Sequence, residues 1–244
     1  GSTTESAPPL DSLKAPEGKS PLHLGSPGAP PFILTPASSI MAPKYRLTYF
    51  PAKALGEPMR LLMAYGRIDF EDVRINFEDW PKLKPSTPMG QIPILEIDGK
   101  IFHQTIPLCR YLGKQVGLAG SNDLEDLEID IVVEIFQDFR SKLAAVHYDT
   151  DEELKTKKYV SLKEDTIPFF LKKLEEIIAK NNGYLALGKL TWADLWFVGA
   201  ADYMNRIARQ DITADNPGLK ALLAKVLALP QIKAWYETAP ATEF

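Results

Sequence analysis

Cys109 is the one cysteine in the chain, so no internal disulfide can form and any thiol chemistry needs a thiol borrowed from another molecule. His23, His103 and His147 are scattered rather than clustered, which supplies no ligand set for a metal such as zinc. Three other features have residue types and spacings suited to chemistry. In "KYRLTYF" (44–50), Tyr45 and Tyr49 lie four residues apart on a strand-like stretch, so both phenols face one side of it. A phenol donates a hydrogen bond while keeping its own proton at neutral pH. Periodicity does not choose between the two, and a tyrosine packed in the core is the plain alternative for either. In "GQIPILEIDGK" (90–100), Pro93 sits near the start of an apolar run. Proline lacks the N–H that a central strand donates, so it marks an edge, a bulge or a fixed bend. Gln104 and Thr105 then stand where a helix begins, and the free N–H groups of a helix N-terminus attract a carboxylate. Thr105 serving as an N-cap is the plain alternative, and the two roles are compatible.

These residues need a frame to position them. With 244 residues, 45% of them hydrophobic, the chain can bury a sizeable core as one large domain or two small ones. A formal net charge of −4, with no Lys/Arg run interleaved with aromatics, argues against nucleic acid and anionic membranes as partners. No apolar stretch approaches the roughly 18 residues needed to span a bilayer, and no basic segment with a hydrophobic core opens the chain. The expectation is a cytosolic protein. The first 40 residues hold eight of the 20 prolines, with many Ser, Gly and Ala, and composition of that kind does not bury enough apolar surface to order itself. Residues 1–40 are therefore expected to be a disordered extension, native or left over from cloning as Gly1-Ser2 suggests, with Met41 opening the compact part.

From Tyr45 the pattern alternates. Strands are predicted at 45–50 and 70–76, with a helix between them over 56–66 that carries Pro58 in its first turn. "PILEI" and "KIFH" flank Asp98-Gly99, a dipeptide favoured in two-residue hairpin turns, and a helix is predicted over 105–116. After the link at 117–123 everything reads helical. Leu124, Leu127, Ile131, Ile135, Phe139 and Leu143 recur at spacings of three and four, an apolar stripe on a helix over 124–143. The next helical pattern should kink near Pro168. "LTWADLWFVGAADYMNRIA" opens on Thr191 with Asp194 three residues on, a variant capping box, and is apolar on nearly every face, as a central helix would be. The order β-α-β, β-β-α and then helices predicts an α/β plus all-α fold: a thioredoxin-like half followed by a helical half.

Within that frame "KYRLTYF", "DWPKLKP", "PMGQIPILEIDGK", "HQT", "RYLGK" and "LTWADLWF" occur in order. Through them residues 41–244 resemble the sigma class of glutathione transferases in its arthropod-like form, related to the glutathione-dependent prostaglandin D synthases. The resemblance implies a thioredoxin-like glutathione-binding domain over 41–118, an all-α domain over 123–244, glutathione as co-substrate, no metal, and a homodimer. It implies a cis Ile92–Pro93 peptide whose bend turns the Ile92 backbone toward the cysteinyl unit of the ligand. Gln104 and Thr105 would hold the γ-glutamyl end, although the family more often has serine at the second place and alanine where Pro107 stands. Trp80 and Lys84 would meet the glycyl end. Gln91 stands where some relatives carry lysine, and Asp138 matches an acidic position that reaches the neighbouring subunit's ligand amine, with a solvated helix face as its plain alternative.

The resemblance also selects Tyr49 as the catalytic phenol. A thiol with a pKa near 8.5 is only a few per cent ionised at pH 7. A hydrogen bond to a charged group is worth roughly 1.5–3 kcal/mol, or about one to two pKa units, which makes thiolate a major species. The electrophile pocket is expected between the domains, lined by Phe50, Leu55, Arg140, Trp196 and Phe244.

The function implied is addition of glutathione thiolate to small apolar electrophiles, including aldehydes from lipid peroxidation. The alternatives are a glutathione-dependent prostaglandin endoperoxide isomerase and a structural homologue without activity. Vertebrate isomerases of this kind carry arginine at the place of Leu55 and aspartate at the place of Gln137. The presence of Tyr49, Gln104 and Thr105 argues against the structural homologue.

Overall fold

A computed structural model describes residues 42–242. The expected extension over 1–40 and the pocket residue Phe244 lie outside the described residues.

The first half is a four-stranded sheet in the order β2-β1-β3-β4, from β1 (Tyr45–Tyr49), β2 (Phe70–Arg74), β3 (Ile94–Ile97) and β4 (Lys100–His103). β1 runs parallel to β2, and this pairing needs the crossover supplied by α1 (Glu57–Tyr65); β3 runs antiparallel to both β1 and β4. Tyr45, Leu47 and Tyr49 are buried on one face of β1 while Arg46 is exposed, so the alternation read from the sequence holds. At the β3–β4 turn, Asp98 and Gly99 both have positive φ, 50° and 84°, the backbone that a two-residue hairpin matching strand twist demands. The strands predicted at 45–50 and 70–76 end one and two residues early.

A short α2 (Trp80–Leu83) precedes β3, and α3 (Thr105–Gln115) closes this half. The helical half comprises α4 (Asp123–His147), α5 (Glu152–Ser161), α6 (Ile167–Lys180), α7 (Trp192–Ala208), α8 (Pro217–Leu227) and α9 (Pro230–Thr238). No helix among the described residues is long and apolar enough to cross a membrane.

One expectation is corrected here. The stripe on α4 is not the buried face along its whole length: Phe139 and Leu143 are buried as expected, but Leu124, Leu127 and Ile131 are exposed, and Ile129, Val132, Val133, Phe136 and Val146 join the core in their place. The helix carries two apolar faces, and spacing alone does not tell which one a neighbour covers. Near Pro168 the regular helix is interrupted: a π-helical turn at 162–166 joins α5 to α6, and Pro168 sits in the first turn of α6 just after it.

α7 is the central helix expected. Nearly all of it is buried, and Asp194 closes the capping box by accepting from the Thr191 amide at 2.7 Å and the Thr191 hydroxyl at 3.1 Å. It also accepts from the Leu185 amide at 2.9 Å. Burial outweighs these donors and pushes the Asp194 carboxyl up to about 6. Gly199 lets α7 meet the start of α1 backbone to backbone, since a Cβ there would lie 2.6 Å from the Pro58 nitrogen.

Candidate active site

A cleft of about 760 Å³ opens beside the ends of β1 and β4, walled by the 90–93 turn, the start of α3 and the middle of α4. The Ile92–Pro93 peptide is cis, and Gly90 enters the turn with φ 61°. The Lys84 stem lies over Gly90, 3.4 Å from where a Cβ would be. Phe50, Leu55, Trp80, Gln91, Ile92, Pro93, Gln104, Thr105 and Arg140 all line the cleft. Gln104 has φ 78° and ψ 112°, a backbone that side-chain-bearing residues rarely adopt and that recurs where structure is held for a ligand.

Three expected residues are placed otherwise. Lys84 is exposed at the rim, with no carboxylate partner among the described residues. Asp138 is exposed on α4, one helical face with Leu127, Ile131 and the cleft-lining Glu134. Trp196 is a correction: it is fully buried against Phe136, with ring centroids 5.9 Å apart, and belongs to the core rather than the cleft wall. On a helix apolar all round, an aromatic residue is more often core than pocket.

Tyr49 ends β1 with its ring buried and its hydroxyl oxygen accepting from the Leu55 amide at 3.4 Å. Burial raises its pKa, while the Leu55 amide and the charges of Arg60 and Arg140 pull the other way. It therefore stays protonated across neutral pH and keeps an O–H to donate. Tyr45 is different. Its hydroxyl meets that of Tyr111 at 3.1 Å, so tertiary contact separates two tyrosines that periodicity left equivalent.

Four residues about this site were not singled out from sequence. Gly56 gives the Tyr49 ring its room, since a Cβ there would lie 2.5 Å from the ring carbon Cδ1. Arg60 is buried, with its guanidinium 5.9 Å from the Tyr49 ring centre. Tyr148 and Tyr203 bring their hydroxyls within 3.3 Å of each other, close enough to Arg140 and Tyr49 to act on them electrostatically. Arg140 is oriented by donating from Nε to Gln137 Oε1 at 2.9 Å. No local spacing signals these residues, because the loop after β1 and helices α4 and α7 meet only in three dimensions.

Tyr49 itself does not line the cleft, but its neighbours Phe50 and Leu55 do; a phenol that keeps its proton just behind that wall, a bent cis-proline turn and a strained helix entry can bind a peptide and stabilise an anion. The N-terminal domain profile of the glutathione S-transferases matches residues 45–114, and their C-terminal domain profile matches 137–239. Glutathione S-transferase S1 of Drosophila melanogaster is 52% identical over 82% of this chain and 80% of that protein. Hematopoietic prostaglandin D synthase of Gallus gallus is 35% identical over 82% of this chain and 98% of that protein. The solved structure of prostaglandin synthase D of Nilaparvata lugens covers 81% of this chain and 99% of that one, with 45% identity and a TM-score of 0.78. The chain belongs to the glutathione S-transferase family. It is a transferase with glutathione as co-substrate, bound by the sheet-containing half.

Proposed function

We propose that this chain is a cytosolic, homodimeric, sigma-class glutathione transferase of detoxification, with its division into 41–118 and 123–244 separating the glutathione half from the helical half. Its substrates are small apolar electrophiles, chief among them α,β-unsaturated aldehydes of lipid peroxidation. The observation that carries this reading is the Leu55 amide on the Tyr49 oxygen. That bond fixes the phenol oxygen beside Leu55 of the cleft wall and leaves its hydrogen to donate to the glutathione sulfur, which favours thiolate.

Ile92 meets the cysteinyl backbone, Gln104 and Thr105 hold the γ-glutamyl carboxylate, and Trp80, Lys84 and Gln91 hold the glycyl end. The sulfur adds to the β-carbon of the enal, an S–C bond forms, and the C=C electron pair moves to the carbonyl oxygen as enolate. Arg140 faces that oxygen as a fixed cation, and proton uptake at the α-carbon completes the adduct. Phe50 and Leu55 meet the alkyl chain. Arg140→Leu is expected to lower turnover of a hydroxyalkenal about tenfold relative to an aromatic halide assayed on the same preparation. Equal losses on both substrates would detach Arg140 from the carbonyl.

The dimer reading rests on the exposed Leu127 and Ile131, an apolar face with Asp138 two turns onward. A twofold axis along it would bring each Asp138 to the partner's ligand amine. Sedimentation should give a dimer at micromolar concentration, and the double variant Leu127→Glu/Ile131→Glu a monomer with weakened glutathione binding. An active wild-type monomer would contradict both the dimer and the shared site.

The endoperoxide isomerase is the second reading, favoured by the names of the Gallus gallus and Nilaparvata lugens relatives. Against it, Leu55 lines the cleft without a guanidinium for a polar substrate, and Gln137 is engaged with Arg140 rather than adding a carboxylate beside Asp138. Activation by a divalent cation should thus be weak or absent. Competition between an alkenal and an endoperoxide, with and without magnesium, tests this. Efficient, magnesium-stimulated isomerisation with little conjugation would reverse the order of the two readings.

A further inference from the structure

Arg60 is fully buried, and burying a cation is costly unless every part of it is matched. Its Nε donates to Asp72 Oδ1 at 3.0 Å, and Nη1 donates to Glu57 Oε2 at 3.2 Å. Asp72 Oδ2 accepts in turn from Arg74 Nε at 2.8 Å, so two cations and two carboxylates close a neutral cluster under the sheet. Two of the three remaining donors go to backbone carbonyls. Nη1 also reaches the Ala52 carbonyl at 2.7 Å, and Nη2 reaches the Phe50 carbonyl at 3.4 Å.

Both carbonyls belong to the loop between β1 and α1, which carries the Leu55 amide back to the Tyr49 oxygen. The Lys53 carbonyl accepts from Gly56 and Glu57 at 3.1 and 2.9 Å, and the Lys53 ammonium pairs with Asp202 of α7. With the Phe50 and Ala52 carbonyls drawn to one guanidinium, the loop carries the Leu55 N–H to the phenol. Gly56 and the Arg60 guanidinium also flank the Tyr49 ring itself.

We propose that Arg60 is a positioning residue of the transferase reaction, holding the loop so that Leu55 keeps its amide on Tyr49 and the phenolic hydrogen stays aimed at the glutathione sulfur. The proposal rests on the reading of Tyr49 as the thiolate donor. Arg60→Lys keeps the charge and loses the fork, and one ammonium does not reach Asp72, Ala52 and Phe50 together. The measurement is the ultraviolet absorbance of bound glutathione thiolate against pH, with the rate profile beside it, on wild type, Arg60→Lys and Tyr49→Phe.

Arg60→Lys is expected to move the thiolate midpoint up by about half to one pH unit, with the neutral-pH rate down about three- to tenfold and KM for glutathione changed less than about twofold. The rate should recover at high pH, which a merely structural defect would not produce. If Arg60→Lys does not fold, Asp72→Asn loosens the same guanidinium and should shift the midpoint in the same direction by less. A folded variant with the wild-type midpoint, while Tyr49→Phe shifts it, overturns the role of Arg60. No shift in Tyr49→Phe overturns instead the reading on which it rests.

Discussion

Tyr49→Phe is expected to cut turnover at pH 7 by roughly eight- to twenty-five-fold, the loss of thiolate that follows from one missing hydrogen bond to a charged sulfur, while glutathione affinity changes little. In the proposed site the hydroxyl acts on the thiolate, whereas the 90–93 turn and the start of α3 hold the peptide. The direction with pH follows. Thiolate fraction rises with pH, so wild-type rate should climb through one ionisation about one to two units below the 8.5 of a free thiol and then run flat. Burial holds Tyr49 above the ordinary phenol value, so no second ionisation interrupts the plateau in the neutral range. In Tyr49→Phe the climb should move up to the free-thiol range and the two enzymes should converge there. Tyr45→Phe breaks only the contact with Tyr111 and should leave the profile in place. A Tyr49→Phe enzyme with a near-normal rate at pH 7 would remove Tyr49 from its assigned role.

Gly199→Ala is expected to cost about 2–4 kcal/mol of stability, a large effect for one methyl group. The added Cβ would lie 2.6 Å from the Pro58 nitrogen, 2.7 Å from its Cα and 3.0 Å from the Glu57 carbonyl carbon. These are backbone atoms at the start of a buried helix, so relief requires α1 and α7 to separate rather than a side chain to rotate. Because α1 also carries Glu57 and Arg60, the separation loosens the loop behind Tyr49. Chemical denaturation should give a lower midpoint with an unchanged slope. An unaltered midpoint would mean that the two helices meet less closely than described.

The alternation in β1, the Asp98-Gly99 turn, the capping box at Thr191 and Asp194, and the seat of Gln104 and Thr105 at a helix start were legible in the residues themselves. Each is a local device in which neighbours a few positions apart satisfy one another's backbone, so spacing carries the information. What the chain order does not carry is which of two apolar faces on α4 is covered, that Trp196 packs on Phe136, or that Tyr45 is spent on Tyr111 while the Tyr49 oxygen meets the Leu55 amide. Those outcomes depend on segments distant in sequence arriving at one place. Arg60 is the clearest case: in sequence it is one more charge in the first helix, where solvent exposure is the ordinary expectation. Glu57, one turn back on the same helix, supplies one carboxylate, but only closure of β2 and the loop after β1 around Arg60 supplies the second carboxylate and two carbonyls, and with them the reason a buried cation sits beneath β1.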